Sequence, residues 1–390
     1  MKIFSKCIQI VLLLLSVNSY AQNQNILLKA GKMYDSEKNI FLLNQQILII
    51  GNKVAKVGKN LKVPAATTVI ELKNATVTPG LIDAHSHLLL DMDQSKTGME
   101  EASDKPASVR IQEGIQFGAE ILKAGFTTVR DLGNSGQYLD LQLKQIFEKE
   151  KSGPRMFVSG PIISPKGGQF NKLPEKYTHL INQEYRVING AEDATQAVLE
   201  HRAKQVDVIK ICVNTDSQKL TWEELVAVVK TAHQNGLTVT AHATDPTSVH
   251  NAALAGVDGI EHGYAIGDST LALMAKKRIY LVPTDLSKER ALVMVKGVGL
   301  SEDYAKEALD GFHKRLSKAY QNGVTIVCGS DFYNKIKEYS RASGTRDVLI
   351  GYLEAGLPVN EILKSATWNA ALVLKKKENL ASLSKMPMRI

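Results

Sequence analysis

The chain has 390 residues, 44% of them hydrophobic and 23% charged. That excludes a disordered or collagen-like chain, and three cysteines in this length exclude a disulfide scaffold. A formal net charge of +8 raises the question of a polyanion partner, while 6% aromatic content argues against a platform for stacked bases.

Met1 to Ala21 reads as a cleaved signal peptide. Lys2 and Lys6 give a basic start, Ile8 to Leu15 an apolar run broken only by Gln9, and Ser19-Tyr20-Ala21 a small-x-small cleavage site. The run is too short for a hydrocarbon core of roughly 30 Å. The expectation is a secreted or periplasmic protein with no stable membrane anchor after cleavage. Residues 22–78 have β texture. Ile26-Leu27-Leu28, Gln46 to Ile50, a Gly51-Asn52 turn, Val54 to Val57 and Thr67 to Leu72 read as short strands and hairpins.

After Thr78-Pro79-Gly80 strand-like runs alternate with amphipathic helical stretches. The runs are Leu81 to His87, Thr127 to Asp131, Met156 to Gly160, Val206 to Val213, Leu237 to Ala243, Gly259 to Gly263, Ile279 to Thr284 and Thr325 to Asp331. Helices are read at Val109 to Ala124, Ala191 to Lys204, Thr221 to Asn235, Thr247 to Ala255 and Tyr304 to Asn322, with Gly125, Gly236, Gly256 and Gly323 as helix stops. Eight such units predict an α/β chain folded as a (β/α)8 barrel over 79–374; a doubly wound open sheet is the alternative. Cys212 and Cys328 lie in apolar runs and read as small core residues.

In such a barrel function sits at the C-terminal ends of the strands. The first strand ends in Asp83-Ala84-His85-Ser86-His87. His-x-His on an extended chain turns both imidazoles to one face, which suits a divalent metal, although the pair alone is a weak signal. Val208-Ile209-Lys210-Ile211 buries a lysine, which is costly unless the amine is paired or chemically modified. Thr240-Ala241-His242, Ile260-Glu261-His262-Gly263 and Gly329-Ser330-Asp331 end the fifth, sixth and eighth strands. A core or rim polar role explains any one of these residues but not six in order at strand ends.

On these residues the sequence resembles the amidohydrolase superfamily, and within it the secreted branch of imidazolonepropionase-like and Xaa-Pro dipeptidase-like hydrolases. The resemblance runs from about Asn25 to Lys375. It is most specific in Pro79-Gly80-Leu81-Ile82-Asp83-Ala84-His85-Ser86-His87, Gly125-Phe126-Thr127-Thr128-Val129-Arg130-Asp131 and the Lys210, His242, His262 and Asp331 motifs. Ser365-Ala366-Thr367 and Asn369-Ala370-Ala371 also match. The resemblance implies a TIM barrel with a small N-terminal β-sandwich domain, and two divalent metal ions, usually zinc. His85, His87 and Asp331 would hold one ion, His242 and His262 the other. Carboxylated Lys210 and a hydroxide would bridge the two. Asp331 would be the catalytic base and then acid. The implied reaction is hydrolysis of an amide or peptide C–N bond in a small molecule, a dipeptide or N-acyl amino acid. The lysine separates this branch from one-metal relatives such as base deaminases. A lactonase or esterase of the same superfamily, and an inactive binding protein, stay open.

Arg130, Arg155, Gln169, His179 and Tyr264 are candidate substrate contacts. The simpler reading of Arg130 is an ion pair with a carboxylate such as Asp131. Gln169 stands where many relatives carry a histidine, and His179 lies in the same loop. His201, His233, His250 and His313 fall on helices and read as solvated. Residues 375–390 form a basic tail that departs from the family and lacks its returning strands. The sandwich is therefore expected to be C-terminally incomplete, with an open edge that invites a homo-oligomer. Leu374 to Ile390 carries five basic residues against Glu378, and Lys2 and Lys6 leave with the leader. Little positive charge remains on the rest, so no nucleic-acid partner is expected.

Overall fold

The computed structural model describes residues 25–170, 173–215, 217–376 and 380. The stretch read as a signal peptide and most of the stretch read as a basic tail lie outside the described residues. No described helix is long and apolar enough to cross a membrane. The chain divides between Pro79 and Gly80 into two compact units.

The N-terminal unit is a four-stranded sheet of order β3-β2-β1-β4, formed by β1 (Asn25–Asp35), β2 (Ile40–Ile50), β3 (Lys53–Gly58) and β4 (Thr68–Val77). β1 runs antiparallel to β2 and parallel to β4, with an irregularity between Ala30 and Lys32. That irregularity breaks the period-two pattern, which is why only the first residues of β1 read as strand. Ala30, Met33, Ile47, Ile49 and Val54 form the core of this unit. A sandwich was the expectation. Among the described residues there is one sheet, and β4 leaves most of its residues exposed, Val69 and Ile70 included.

The second unit carries eight parallel strand positions. They are β5 (Leu81–Ser86), β6 (Phe126–Asp131), a third position split into β7 (Arg155–Val158) and β8 (Ile162–Ser164), then β10 (Ile209–Cys212), β11 (Val239–Ala243), β12 (Gly259–His262), β13 (Tyr280–Val282) and the stretch from Thr325 to Asp331; a short β9 (Tyr185–Val187) flanks β8. β7 pairs with β6 and β8 with β10, so the split strand still joins its neighbours. The eighth position has no regular ladder. It closes the circle through single backbone bonds: Leu281 N to Thr325 O and Val327 N to Leu281 O on one side, Ala84 N to Cys328 O and Asp331 N to His85 O on the other, all 2.8–2.9 Å. The structure is thus a closed barrel, not an open sheet.

Local chemistry explains the helices around it. Thr221 and Glu224 form a reciprocal capping box on Trp222–Gln234. Asp245 caps Pro246–Ala255, whose proline occupies the first turn. The four glycines read as helix stops all take positive φ. Cys212 and Cys328 are fully buried, as read.

His201 is a correction. It is fully buried, with ring nitrogens 2.9 Å from Ala197 O and 2.7 Å from Pro161 O. On Ala191–Ala203 it shares the inner face with Ala194, Ala197 and Val198, and it props the break in the third strand. His233 is exposed and sits 2.9 Å from Asp258, whereas His250 and His313 are half-buried.

Asp140, from helix Leu139–Glu150, steadies the same break by accepting from Gly160 N at 2.7 Å. Burial, reinforced by Asp131, pushes its carboxyl up to about 7. The folded chain therefore holds this proton more tightly than the unfolded chain. The contribution is fully present below the unfolded value of about 3.9 and is lost as pH rises through about 7. Asp140→Asn should remove about 1.4 kcal/mol per pH unit from the fall in stability across that window. Urea unfolding at several pH values checks this, and parallel wild-type and variant slopes would refute it.

Candidate metal centre

The site forms where β5, β10, β11, β12 and the eighth strand end. Asp83, His85 and His87 share one face of the first strand. Asp83 accepts from Ser330 N at 2.9 Å and from Ser330 Oγ at 2.6 Å, which docks the eighth strand against the first. Gly329 permits that approach: a Cβ there would lie 2.7 Å from His85 Cβ and 2.3 Å from Val282 Cγ1.

Three donor atoms converge beside this contact. His85 Nε2 and His87 Nε2 are 3.3 Å apart, and Asp331 Oδ1 lies 3.5 Å from the first and 3.2 Å from the second. The Nδ1 atoms are engaged elsewhere. His85 Nδ1 donates to Glu261 Oε2 at 2.7 Å and His87 Nδ1 to Gly133 O at 2.7 Å. Burial, reinforced by Lys210, pushes His85 down to about 4, so its ring is neutral near pH 7. Its lone pair faces the Asp331 carboxylate at 3.5 Å. Burial lowers His87 beside them, but Asp331 outweighs it and raises that ring. A cation among the three groups would relieve the repulsion. Tetrahedral ligands at 2.0–2.1 Å from a metal stand about 3.4 Å apart, close to the spacings found, so the donor set fits a divalent metal.

Lys210, His242 and His262 form the other half of the cluster. Lys210 Nζ is 3.4 Å from His85 Nε2. The His262 ring lies 4.7 Å from that of His242 and 5.1 Å from that of His85. Burial lowers Lys210, and burial with the Lys210 charge pushes His242 down to about 3. Burial raises Asp331, but His85, His87 and His262 outweigh it and hold its carboxyl far below the usual range. His262 and Asp331 take positive φ, +67° and +47°. Backbone strain of that kind concentrates at functional sites.

All six ligand candidates line one cavity of about 240 Å³. Gln169 and Tyr264 line it too, the amide 3.4 Å from His242 Nδ1 and the hydroxyl 3.4 Å from His262 Nδ1. Three other candidates are not on its wall. Arg130 is buried beneath it, donating to Ala84 O at 2.6 Å, Tyr280 OH at 2.8 Å and Glu261 Oε1 at 2.8 Å, so its ion pair is with Glu261 and not Asp131. Arg155 begins β7, at the end of the strand away from the site. His179 is exposed, and its Nε2 sits 2.9 Å from Asp104 Oδ1. Sequence reasoning missed Glu261 as the partner of His85, although it stands next to His262 in a motif already singled out. It also missed Asn134, Met99 and Tyr333 on the cavity wall, for which the loops carry no signal.

Fold and donor cluster together define a barrel with a candidate metal centre at the C-terminal ends of its strands. The chain belongs to the amidohydrolase family, whose sequence profile matches residues 76–385, well into the stretch read as an atypical tail. It is 26% identical over 365 residues to the ochratoxinase of Aspergillus niger, covering 85% of this chain and 73% of that one. A crystal structure of a Xaa-Pro dipeptidase with methionine bound in its active site superposes with a TM-score of 0.77 at 26% identity, covering 93% of this chain and 91% of the other. The crystal structure of A. niger ochratoxinase shares the fold, with a TM-score of 0.76 over 93% of this chain and 87% of that one at 22% identity.

A metal held by this cluster stabilises only the folded chain. Chelation should therefore lower the thermal midpoint and added zinc should restore it, the linkage reaching about 4 kcal/mol at a thousandfold excess over Kd. A scan unchanged by chelator and by zinc would contradict the assignment.

Proposed function

We propose that the protein is an exported binuclear amide hydrolase that cleaves the C–N bond of a small dipeptide or N-acyl amino acid. The observation that carries this is the convergence of His85, His87, Lys210, His242, His262 and Asp331 on a single cavity. His85, His87 and Asp331 would hold one cation, and His242 and His262 the other. Burial disfavours the ammonium form of Lys210, and the resulting amine could add carbon dioxide and release a proton to solvent, giving an anionic carbamate with two oxygen ligands. The cations supply a lowered pKa for water at the site and polarisation of the scissile carbonyl.

The chain's own residues supply the rest. Asp331 directs Oδ1 at His85 and His87, while Oδ2 lies 3.8 Å from His262 Nδ1. Its second oxygen can take the proton of the attacking water and return it to the leaving amine. Leu90, Met99, Ile162 and Tyr333 give the cavity an apolar wall, and about 240 Å³ is below the usual range for drug-sized ligands, which restricts the occupant to a small molecule. The ochratoxinase and Xaa-Pro dipeptidase likenesses support an amide bond as the target.

Zinc-loaded protein should hydrolyse members of a panel of dipeptides and N-acyl amino acids. Asp331→Asn should lose at least about 10²-fold in kcat while keeping the wild-type circular dichroism. Turnover of lactones alone, or full activity in the variant, would overturn the reading. Export predicts that the mature chain recovered outside the cytoplasm begins at Gln22. Intact mass settles that point, and retention of Met1 would contradict it.

A further inference from the structure

We propose that Arg315 is a positioning residue for His262, and that it supports the His242/His262 half of the centre separately from the His85/His87 half. This rests on the two-metal reading above. His262 and Gly263 both take left-handed backbone, φ +67° and +57°. The last paired residue of β12 against β13 is Glu261, so the carbonyl of His262 is left outside that ladder. Arg315 answers it, Nη1 donating to His262 O at 2.8 Å. The other arm of the same guanidinium, Nη2, reaches Pro283 O at 3.5 Å and pairs with Asp285. Between those two residues stands Thr284, itself at φ +56°, whose Oγ1 is 2.9 Å from His262 Nδ1.

One buried side chain therefore grips the backbone of a ligand and both neighbours of the hydroxyl that orients the ligand's ring. A strained residue persists only where its surroundings over-determine it, and here a single fork of donors does so. Arg315 comes from helix Glu302–Gln321, outside every motif that carries the ligands. His85 is oriented by a different group. Its partner Glu261 is held by Arg130 and Thr240, and among the described residues these side chains share no hydrogen bond with Arg315 or Asp285. Two supports with no common side chain imply two halves that can be weakened one at a time.

Zinc stoichiometry, read by elemental analysis after dialysis at graded free zinc, tests this without recourse to turnover. Arg315→Met keeps the apolar stem and removes the donors. It should hold one zinc with wild-type affinity and bind the second about 10–100-fold more weakly. Arg315→Lys keeps the charge but gathers its donors on one compact ammonium instead of a planar fork that spans the acceptors on Nη1 and Nη2, and should fall between the two. It also carries the comparison if the methionine variant loses the circular dichroism of the barrel. Glu261→Gln should weaken one zinc as well, and the double variant both. Wild-type affinity for both ions in the Arg315 variants, or equal weakening of both, would overturn the inference. A wild-type chain that binds a single zinc at all concentrations would instead overturn the two-metal reading, and the inference with it.

Discussion

The constraint on which the centre depends is the charge of Glu261. It is a fully buried carboxylate inside the barrel, accepting from His85 Nδ1, Arg130 Nη2 and Thr240 Oγ1. Burial raises its pKa, but Arg130 and His85 outweigh that and pull it down to about 2, so it remains an anion. A buried charge is tolerated only with partners of this kind. The arrangement fixes the tautomer of His85 and turns its Nε2 towards Asp331. It also commits Arg130 to the interior, with Tyr280 and the Ala84 carbonyl as its remaining partners. The barrel interior at this level is a hydrogen-bonded layer, and the ligand candidates stand on it.

Much of the fold was legible because parallel strands buried on both faces read as apolar runs and helices end in glycine. The six ligand candidates were legible for a related reason: five stand at or next to a strand end, where a barrel displays its chemistry, and Lys210 interrupts the apolar run of β10. Less legible was how they come to face one another. Period-two alternation sends Glu261 and His262 to opposite faces of β12. The left-handed turn at His262 breaks that rule, so that both take part in the centre. Asp331 makes the same exception at the end of the eighth strand. Backbone conformation of this kind leaves no trace in residue type, since neither residue is a glycine. Arg130 was misplaced for a comparable reason: a charged residue near a strand end has no feature in sequence that separates the rim from the floor.

Around this floor the mouth is stitched by arginines from outer helices. Arg110 donates to Leu89 O, Ser103 O and Asn134 O and pairs with Glu184, joining the loops after the first three strand positions. Arg341 bonds Leu90 O and Phe332 O, joining the loop after the first strand to that after the eighth. That junction is reinforced by the backbone bonds Met92 N to Tyr333 O and Lys335 N to Met92 O, at 2.9 and 2.7 Å. Arg315 does the same for the segments after the sixth and seventh strands.

The choice of arginine follows from what loops lack. A loop that leaves its ladder strands carbonyl oxygens that must be satisfied once buried. A lysine offers one point of donation, whereas a guanidinium serves two or three carbonyls in a plane without losing its charge. Each such charge then needs an anion close by. The structure supplies Glu184 for Arg110, Asp285 for Arg315, Asp91 for Arg341 and Glu261 for Arg130. Each pair adds no net charge, so these buried ions leave no mark on the overall basic balance. Composition shows the surplus carried by residues 1–21 and 374–390 but is blind to the paired charges that shape the site. These pairs also tie the rim to the outer layer. A loop whose carbonyls are held by a helix on the outer layer cannot swing without exposing a buried guanidinium. The centre is therefore held in place by the barrel floor beneath it and the helices around it, which is the kind of support a precise ligand geometry requires.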